Sequence, residues 1–133
     1  MKRILGIDYG EKRVGLALTD LLQIIASPFK TIPNNSSLLQ SLKDIIDEHE
    51  VEKVVVGMPI GMKGQVTPQT KLVKEFVARL EEHHISVDLE DERLSSISAK
   101  KSLIQQGIKT GHNKGLIDQT AAAIILQLYL DRR

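Results

Sequence analysis

Arg-Ile-Leu-Gly-Ile-Asp-Tyr-Gly-Glu-Lys-Arg-Val-Gly-Leu-Ala-Leu-Thr, residues 3–19, is the stretch on which the fold turns. Leu5 and Ile7 alternate with Ile4, Gly6 and Asp8; Val14, Leu16 and Leu18 alternate with Gly15, Ala17 and Thr19. A period of two marks strands over 3–8 and 13–19. Gly10-Glu11-Lys12-Arg13 between them is a short turn, so the pair forms a β-hairpin. Gly6, Gly15 and Ala17 leave one face of that hairpin bare, where a helix can lie close or a ligand can approach the backbone.

Downstream, a third short strand is expected near 28–32. Leu38, Leu39, Leu42, Ile45 and Ile46 have helical spacing and predict a helix over 37–49, with Ser37 and Gln40 as a capping box. Lys53-Val54-Val55-Val56-Gly57 is apolar without alternation, as in a parallel strand covered on both sides. A glycine-rich loop, 57–66, leads to Thr67 as N-cap and Pro68 in the first turn of a helix over 68–82. Leu72, Val73, Phe76, Val77 and Leu80 supply its apolar stripe. Ile85, Val87 and Leu89 predict another strand. A helix over about 96–106 ends at Gly107, and a polar loop spans 107–114. The last helix is expected over about 115–130, with Ile117, Thr120, Ala121, Ile124, Ile125 and Leu128 inward. The order β-β-β-α-β-α-β-α-α implies an α/β fold: an antiparallel meander feeding parallel strands in one mixed, helix-flanked sheet.

Three acidic segments stand beside this apolar framework. Asp8 ends the first strand, on the face of Ile4 and Gly6. An Asp there is also a common way to begin a hairpin turn. Glu90, Asp91 and Glu92 end a later strand, where neighbouring carboxylates repel one another and a cation would relieve them. The same run also suits a solvated strand exit. Asp118 lies at the border of the last helix's apolar stripe, beside Ala121 and Ala122, whose small size lets the helix approach the sheet. It equally suits the helix dipole.

In parallel α/β sheets, sites form at the carboxyl ends of strands. Asp8 and Glu92 would meet there, with Asp118 entering from a flanking helix. Carboxylates gathered from distant segments suit a hard cation such as Mg²⁺. The chemistry that follows is two-metal phosphodiester hydrolysis. Lys12, Arg13, Arg93, Lys109 and Lys114 lie in loops near these acids and suit a phosphate-bearing substrate, Lys114 best of all because it directly precedes the acidic helix. His112 could touch phosphate or relay protons. The 57–64 loop has no Gly-Lys-Ser/Thr, so it is not a P-loop.

Composition narrows the classes. A chain of 133 residues, 41% hydrophobic and 26% charged, suits one domain over 1–133. The absence of cysteine excludes disulfides and thiolate zinc sites. His49, His83, His84 and His112 have no metal-ligand spacing. Aromatics are only 3%, so base stacking cannot be the main grip on nucleic acid. The net charge of +1 neither predicts nor excludes such a partner. No apolar run is long enough to span a membrane and no signal-peptide h-region opens the chain, so the cytoplasm is expected.

Four motifs, in order and covering essentially the whole chain, resemble the YqgF/RuvX family. They are Ile-Asp-Tyr-Gly-Glu-Lys-Arg-Val-Gly-Leu-Ala (7–17), Val-Gly-Met-Pro-Ile (56–60) with Gly64, Asp-Glu-Arg-Leu-Ser-Ser (91–96), and Asn-Lys-Gly-Leu-Ile-Asp (113–118) with Ala121-Ala122. The resemblance implies a ribonuclease H-like fold and a pre-16S rRNA nuclease acting in ribosome maturation. It also implies kinship to Holliday-junction resolvases. Carried over by motif, the catalytic and metal-holding residues are Asp8, Glu92 and Asp118, with Mg²⁺ or Mn²⁺ as cofactor. It is this resemblance that selects Glu92 over Glu90 and Asp91. Lys12, Arg93 and Lys114 would bind substrate.

Many ribonuclease H-like nucleases carry a fourth carboxylate near the last one. Here Ala121 and Ala122 follow instead, so a second metal would bind weakly or only with substrate. The expected partner is precursor rRNA, alone or in ribosomal particles, with branched DNA as the alternative, and the chain is expected as a monomer or homodimer. A non-catalytic nucleic-acid-binding factor is the competing class. The Asp-x-Gly hairpin also resembles that of actin-like ATPases, but those need two related domains.

Overall fold

The computed structural model describes residues 2–61, 63–92 and 114–133. Five strands form one sheet: β1 (Arg3–Tyr9), β2 (Arg13–Thr19), β3 (Ala26–Pro33), β4 (Val51–Met58) and β5 (Val87–Asp91), in the order β3-β2-β1-β4-β5. β1 pairs antiparallel with β2, and β2 with β3; β1–β4 and β4–β5 are parallel. The helices are α1 (Leu38–Glu48), α2 (Pro68–Glu82) and α3 (Lys114–Arg132). The expected mixed sheet, hairpin and parallel β4 are all present, and β3 is longer at both ends than the sequence predicts. The helix expected over 96–106, the loop over 107–113, and Arg93, Lys109 and His112 lie outside the described residues.

Alternation along the strands divides the core into two layers. Leu5, Ile7, Val14, Leu16, Val54 and Val56 face one way and pack against Leu42 and Ile45 of α1 and Val73, Phe76 and Leu80 of α2. Ile4, Ala17 and Val55 face the other way, under Ala122, Ile125, Leu126 and Tyr129 of α3. The bare hairpin face is where α3 lies. A Cβ on Gly6 would come within 2.9 Å of Leu126 Cβ.

Four local expectations are corrected. Ser37 makes no side-chain cap on α1; Asn35 Oδ1 accepts from Ser37 N–H at 2.9 Å instead, and Gln40 donates along the helix to Asp44. In α2 the buried stripe begins at Thr70, whose side chain completes a capping box with Thr67, while Leu72 turns outward. β5 starts at Val87; Ile85 reaches the core from the preceding turn, and Leu89 is exposed because β5 is an edge strand. In α3 the sheet-facing side is Ala122, Ile125, Leu126 and Tyr129, and Leu128 is exposed. Apolar residues occur nearly all round that helix, so its periodicity does not single out a face. Among the described residues, no helix is long and apolar enough to cross a membrane.

Candidate active site

The parallel pairing of β1, β4 and β5 brings their carboxyl ends together at one edge. Asp8, next to last in β1, shares the α3 face with Ile4 and Gly6. Glu92 follows β5 directly. Its backbone N–H donates to Met58 O at 3.3 Å, which carries the β4 pairing one residue past the strand. Its carboxylate occupies the space left by Gly57, where a Cβ would lie 2.6 Å from Glu92 Oε2 and 2.7 Å from Ile125 Cδ1. A side chain at position 57 would therefore displace the acid.

The Asp8 and Glu92 carboxyls lie close enough for a hydrogen bond between them to shift the titration of both. Two carboxyls can share such a bond only if one carries a proton. Burial pushes Glu92 up to about 8, helped by the charge and hydrogen bond of Asp8 and by the charge of Asp91. Burial also raises Asp8 to about 6; the Glu92 hydrogen bond opposes that rise and the charge of Asp118 adds to it. Burial and mutual repulsion therefore favour one proton held by the pair at neutral pH. Two other acids of β5 have partners of their own. Arg132 Nε donates to Glu90 Oε2 at 2.9 Å, while Lys53 lies 3.0 Å from Asp88 Oδ2, which also accepts from the Tyr129 hydroxyl.

Asp118 lies near the start of α3, where the helix backbone rests on β2. Arg13 Nε donates to its Oδ2 at 2.7 Å. Arg13 was expected among the phosphate-facing cations, and this pairing was not anticipated. One signal for it lay in the sequence: Arg13 shares the face of Gly15 and Ala17, on which a close helix was expected. Lys12 in the hairpin turn and Lys114 at the start of α3 are both exposed, and among the described residues neither pairs with the three acids. Arg93 lies outside the described residues.

Two further unanticipated contacts brace the strand ends beside Asp8. Gln69 Nε2 donates to Tyr9 O at 3.2 Å, and the Thr70 hydroxyl donates to Pro59 O. These bonds tie the start of α2 and the glycine-rich loop to the end of β1.

Asp8, Glu92 and Asp118 offer only carboxyl oxygens, the ligand type that suits a hard divalent cation. A cation between Asp8 and Glu92 would take the place of the proton that their burial favours. Among the described residues, no three acidic or histidine side chains are gathered tightly enough to enclose a metal as they stand. Asp118 is the member held to one side, on Arg13.

A family model described as "RuvX: Holliday junction resolvase" matches residues 2–132. A protein of Sulfurihydrogenibium sp. (strain YO3AOP1) named "Putative pre-16S rRNA nuclease" is 40% identical over 136 aligned positions, covering 99% of this chain and 92% of the relative. One of the same name from Endomicrobium trichonymphae is 41% identical over 135 positions, covering 98% and 96%. The crystal structure of Fowlpox virus resolvase with its substrate Holliday junction DNA superposes with a TM-score of 0.60 at 13% identity, covering 98% of this chain and 97% of that one. At that identity the likeness is one of fold, the ribonuclease H-like fold.

Proposed function

Since the chain belongs to the RuvX family, we propose that it is a metal-dependent endonuclease that hydrolyses phosphodiester bonds in structured RNA, the 5′ region of precursor 16S rRNA above all. The observation that carries this reading is the meeting of Asp8 and Glu92 at the strand ends, Glu92 filling the space left by Gly57, with the charge of Asp118 close enough to raise Asp8.

Asp8, Glu92 and Asp118 would hold Mg²⁺ or Mn²⁺, which when bound supplies an activated water and stabilises the leaving oxygen. The chain's own groups do the rest. Loss of the shared proton turns Asp8 and Glu92 into full acceptors. Lys12 and Lys114, with Arg93, hold the backbone phosphates on either side. The substrate would be met in the cytoplasm, as free precursor rRNA or in ribosomal particles, by a monomer or homodimer of this 1–133 domain.

About 40% identity along the whole chain to proteins named for pre-16S rRNA supports RNA as the substrate. The description of the family model supports a second reading, cleavage of four-way DNA junctions. The test is incubation of purified protein and Mn²⁺ with a precursor 16S 5′ fragment and, separately, a four-way junction, each beside Asp8→Asn. RNA cleavage lost in Asp8→Asn is the expected result. Cleavage of the junction alone, by a homodimer in paired cuts, would replace it with the resolvase reading. Binding without cleavage of either would leave a non-catalytic factor.

A further inference from the structure

The ion pair between Arg13 and Asp118 sets a candidate metal carboxylate against a cation of the protein's own. Its geometry is specific. Nε lies 2.7 Å from Oδ2, the Asp118 side chain is 23% exposed and the Arg13 side chain 39%. Both ends are fixed by the fold. Arg13 opens β2, beyond the hairpin turn closed by a bond from Gly10 N–H to Arg13 O at 3.0 Å. Asp118 sits where the α3 backbone presses on Gly15. Neither backbone can drift, so a change in partner must come from side-chain rotation. The guanidinium is long, permanently charged and open enough to water to rotate. It also stands beside the Lys12 turn, where a backbone phosphate would arrive on the reading above.

Resting on that reading, we propose that Arg13 is a latch on Asp118. In the free protein it neutralises Asp118 and holds the carboxylate to one side, so that only the Asp8–Glu92 pair faces the cation position. When nucleic acid arrives, a backbone phosphate competes for the guanidinium and Asp118 swings in to complete the donor set. Arg13 is thus a positioning residue that ties metal loading to substrate. Such coupling is reciprocal: whatever loosens the latch tightens the metal. It also keeps the free enzyme poorly loaded.

The experiment is calorimetric titration of Mn²⁺ into wild-type protein, Arg13→Gln, Asp118→Asn and the double variant, without nucleic acid. Thermal unfolding of each variant checks that it folds. Loss of a latch makes Arg13→Gln bind Mn²⁺ more tightly, by about tenfold, the equivalent of one charge-assisted hydrogen bond. A merely structural arginine would give weaker binding. In the Asp118→Asn background, Arg13→Gln should have no effect, because the partner is gone. Arg13→Lys, which keeps the charge but not the planar fork, should fall between wild type and Arg13→Gln. For the exchange, Arg13→Gln should bind a fluorescent RNA hairpin in EDTA several-fold more weakly than wild type.

Unchanged or weaker Mn²⁺ binding in Arg13→Gln overturns the latch. So does equal tightening in both backgrounds, which would be a general charge effect, and so does undiminished hairpin binding. If Asp118→Asn binds Mn²⁺ as wild type does, Asp118 is not a ligand, and the latch falls together with the three-carboxylate reading. If Asp118→Asn weakens binding and Arg13→Gln does not tighten it, only the latch falls.

Discussion

A Cβ atom on Gly15 would lie 2.1 Å from the carbonyl oxygen of Asp118, so the start of α3 rests directly on β2. That contact sets where the Asp118 carboxylate can reach. Gly15→Ala must push the helix off the strand, because the obstacle is backbone and cannot rotate away. We expect cleavage to fall by about 100-fold, the cost of misplacing a reacting group by roughly an ångström. Stability should fall by only about 1–3 kcal/mol, as in other overpacked cores. Cleavage rates and thermal unfolding of the same preparation separate the two effects. Wild-type cleavage in Gly15→Ala would show that the seating of Asp118 is immaterial.

The Asp8–Glu92 pair predicts an unusual pH dependence for the metal-free protein. Both carboxyls titrate higher in the folded chain, Asp8 at about 6 and Glu92 at about 8, than in the unfolded chain. Below about pH 3 both are protonated in either state and their favourable contribution is complete. Between there and about pH 8 the folded protein retains protons that the unfolded chain has released, so stability falls as pH rises. A divalent cation bound by the ionised pair should flatten or reverse that slope. Unfolding midpoints from pH 5 to 9, in EDTA and in Mg²⁺, provide the check, and a flat profile in EDTA would contradict the shared proton.

Asp8→Asn should separate stability from activity. The amide keeps a hydrogen-bonding partner for Glu92 and removes one of two buried acids that raise each other's titration. Without metal at pH 8, the variant should melt about 2–5 °C above wild type, the shift expected for roughly 1 kcal/mol. Addition of Mg²⁺ should raise the wild-type midpoint and leave that of the variant almost unchanged. A variant that melts below wild type in EDTA would mean that the carboxylate at position 8 stabilises the fold.

Phe76 and Leu72, four positions apart on α2, should respond very differently to truncation. Phe76 is 2% exposed and stacks on Tyr9 with ring centroids 4.3 Å apart, whereas Leu72 is 37% exposed. Urea unfolding should give about 3–5 kcal/mol for Phe76→Ala. Leu72→Ala should stay within about 0.5 kcal/mol. Because Tyr9 follows Asp8 in the chain, Phe76→Ala should also slow cleavage by more than Leu72→Ala does. Similar losses for both would mean that α2 is rotated from the orientation described.

The local periods of this chain determine its elements. Strict alternation gives β1 and β2, an unbroken apolar run gives the doubly covered β4, and Thr67-Pro68 gives the start of α2, because strand and helix periods and caps depend on neighbours within a turn or two. The bare face of Gly6, Gly15 and Ala17 already marked where a helix would lie. The face that α3 turns to the sheet was not legible, since apolar residues surround that helix and the close fit at Gly6, Gly15 and Gly57 orients it. Nor was the exposure of Leu89, which follows from the edge position of β5. The acids of the candidate site could be named from sequence, but not their relations to one another. Arg13 and Asp118 are 105 positions apart, and Asp8 meets Glu92 only because two parallel pairings bring the ends of β1 and β5 to the same edge. Charge pairing and burial act through space, and which distant side chains share a dry pocket is settled only when the sheet and α3 have packed.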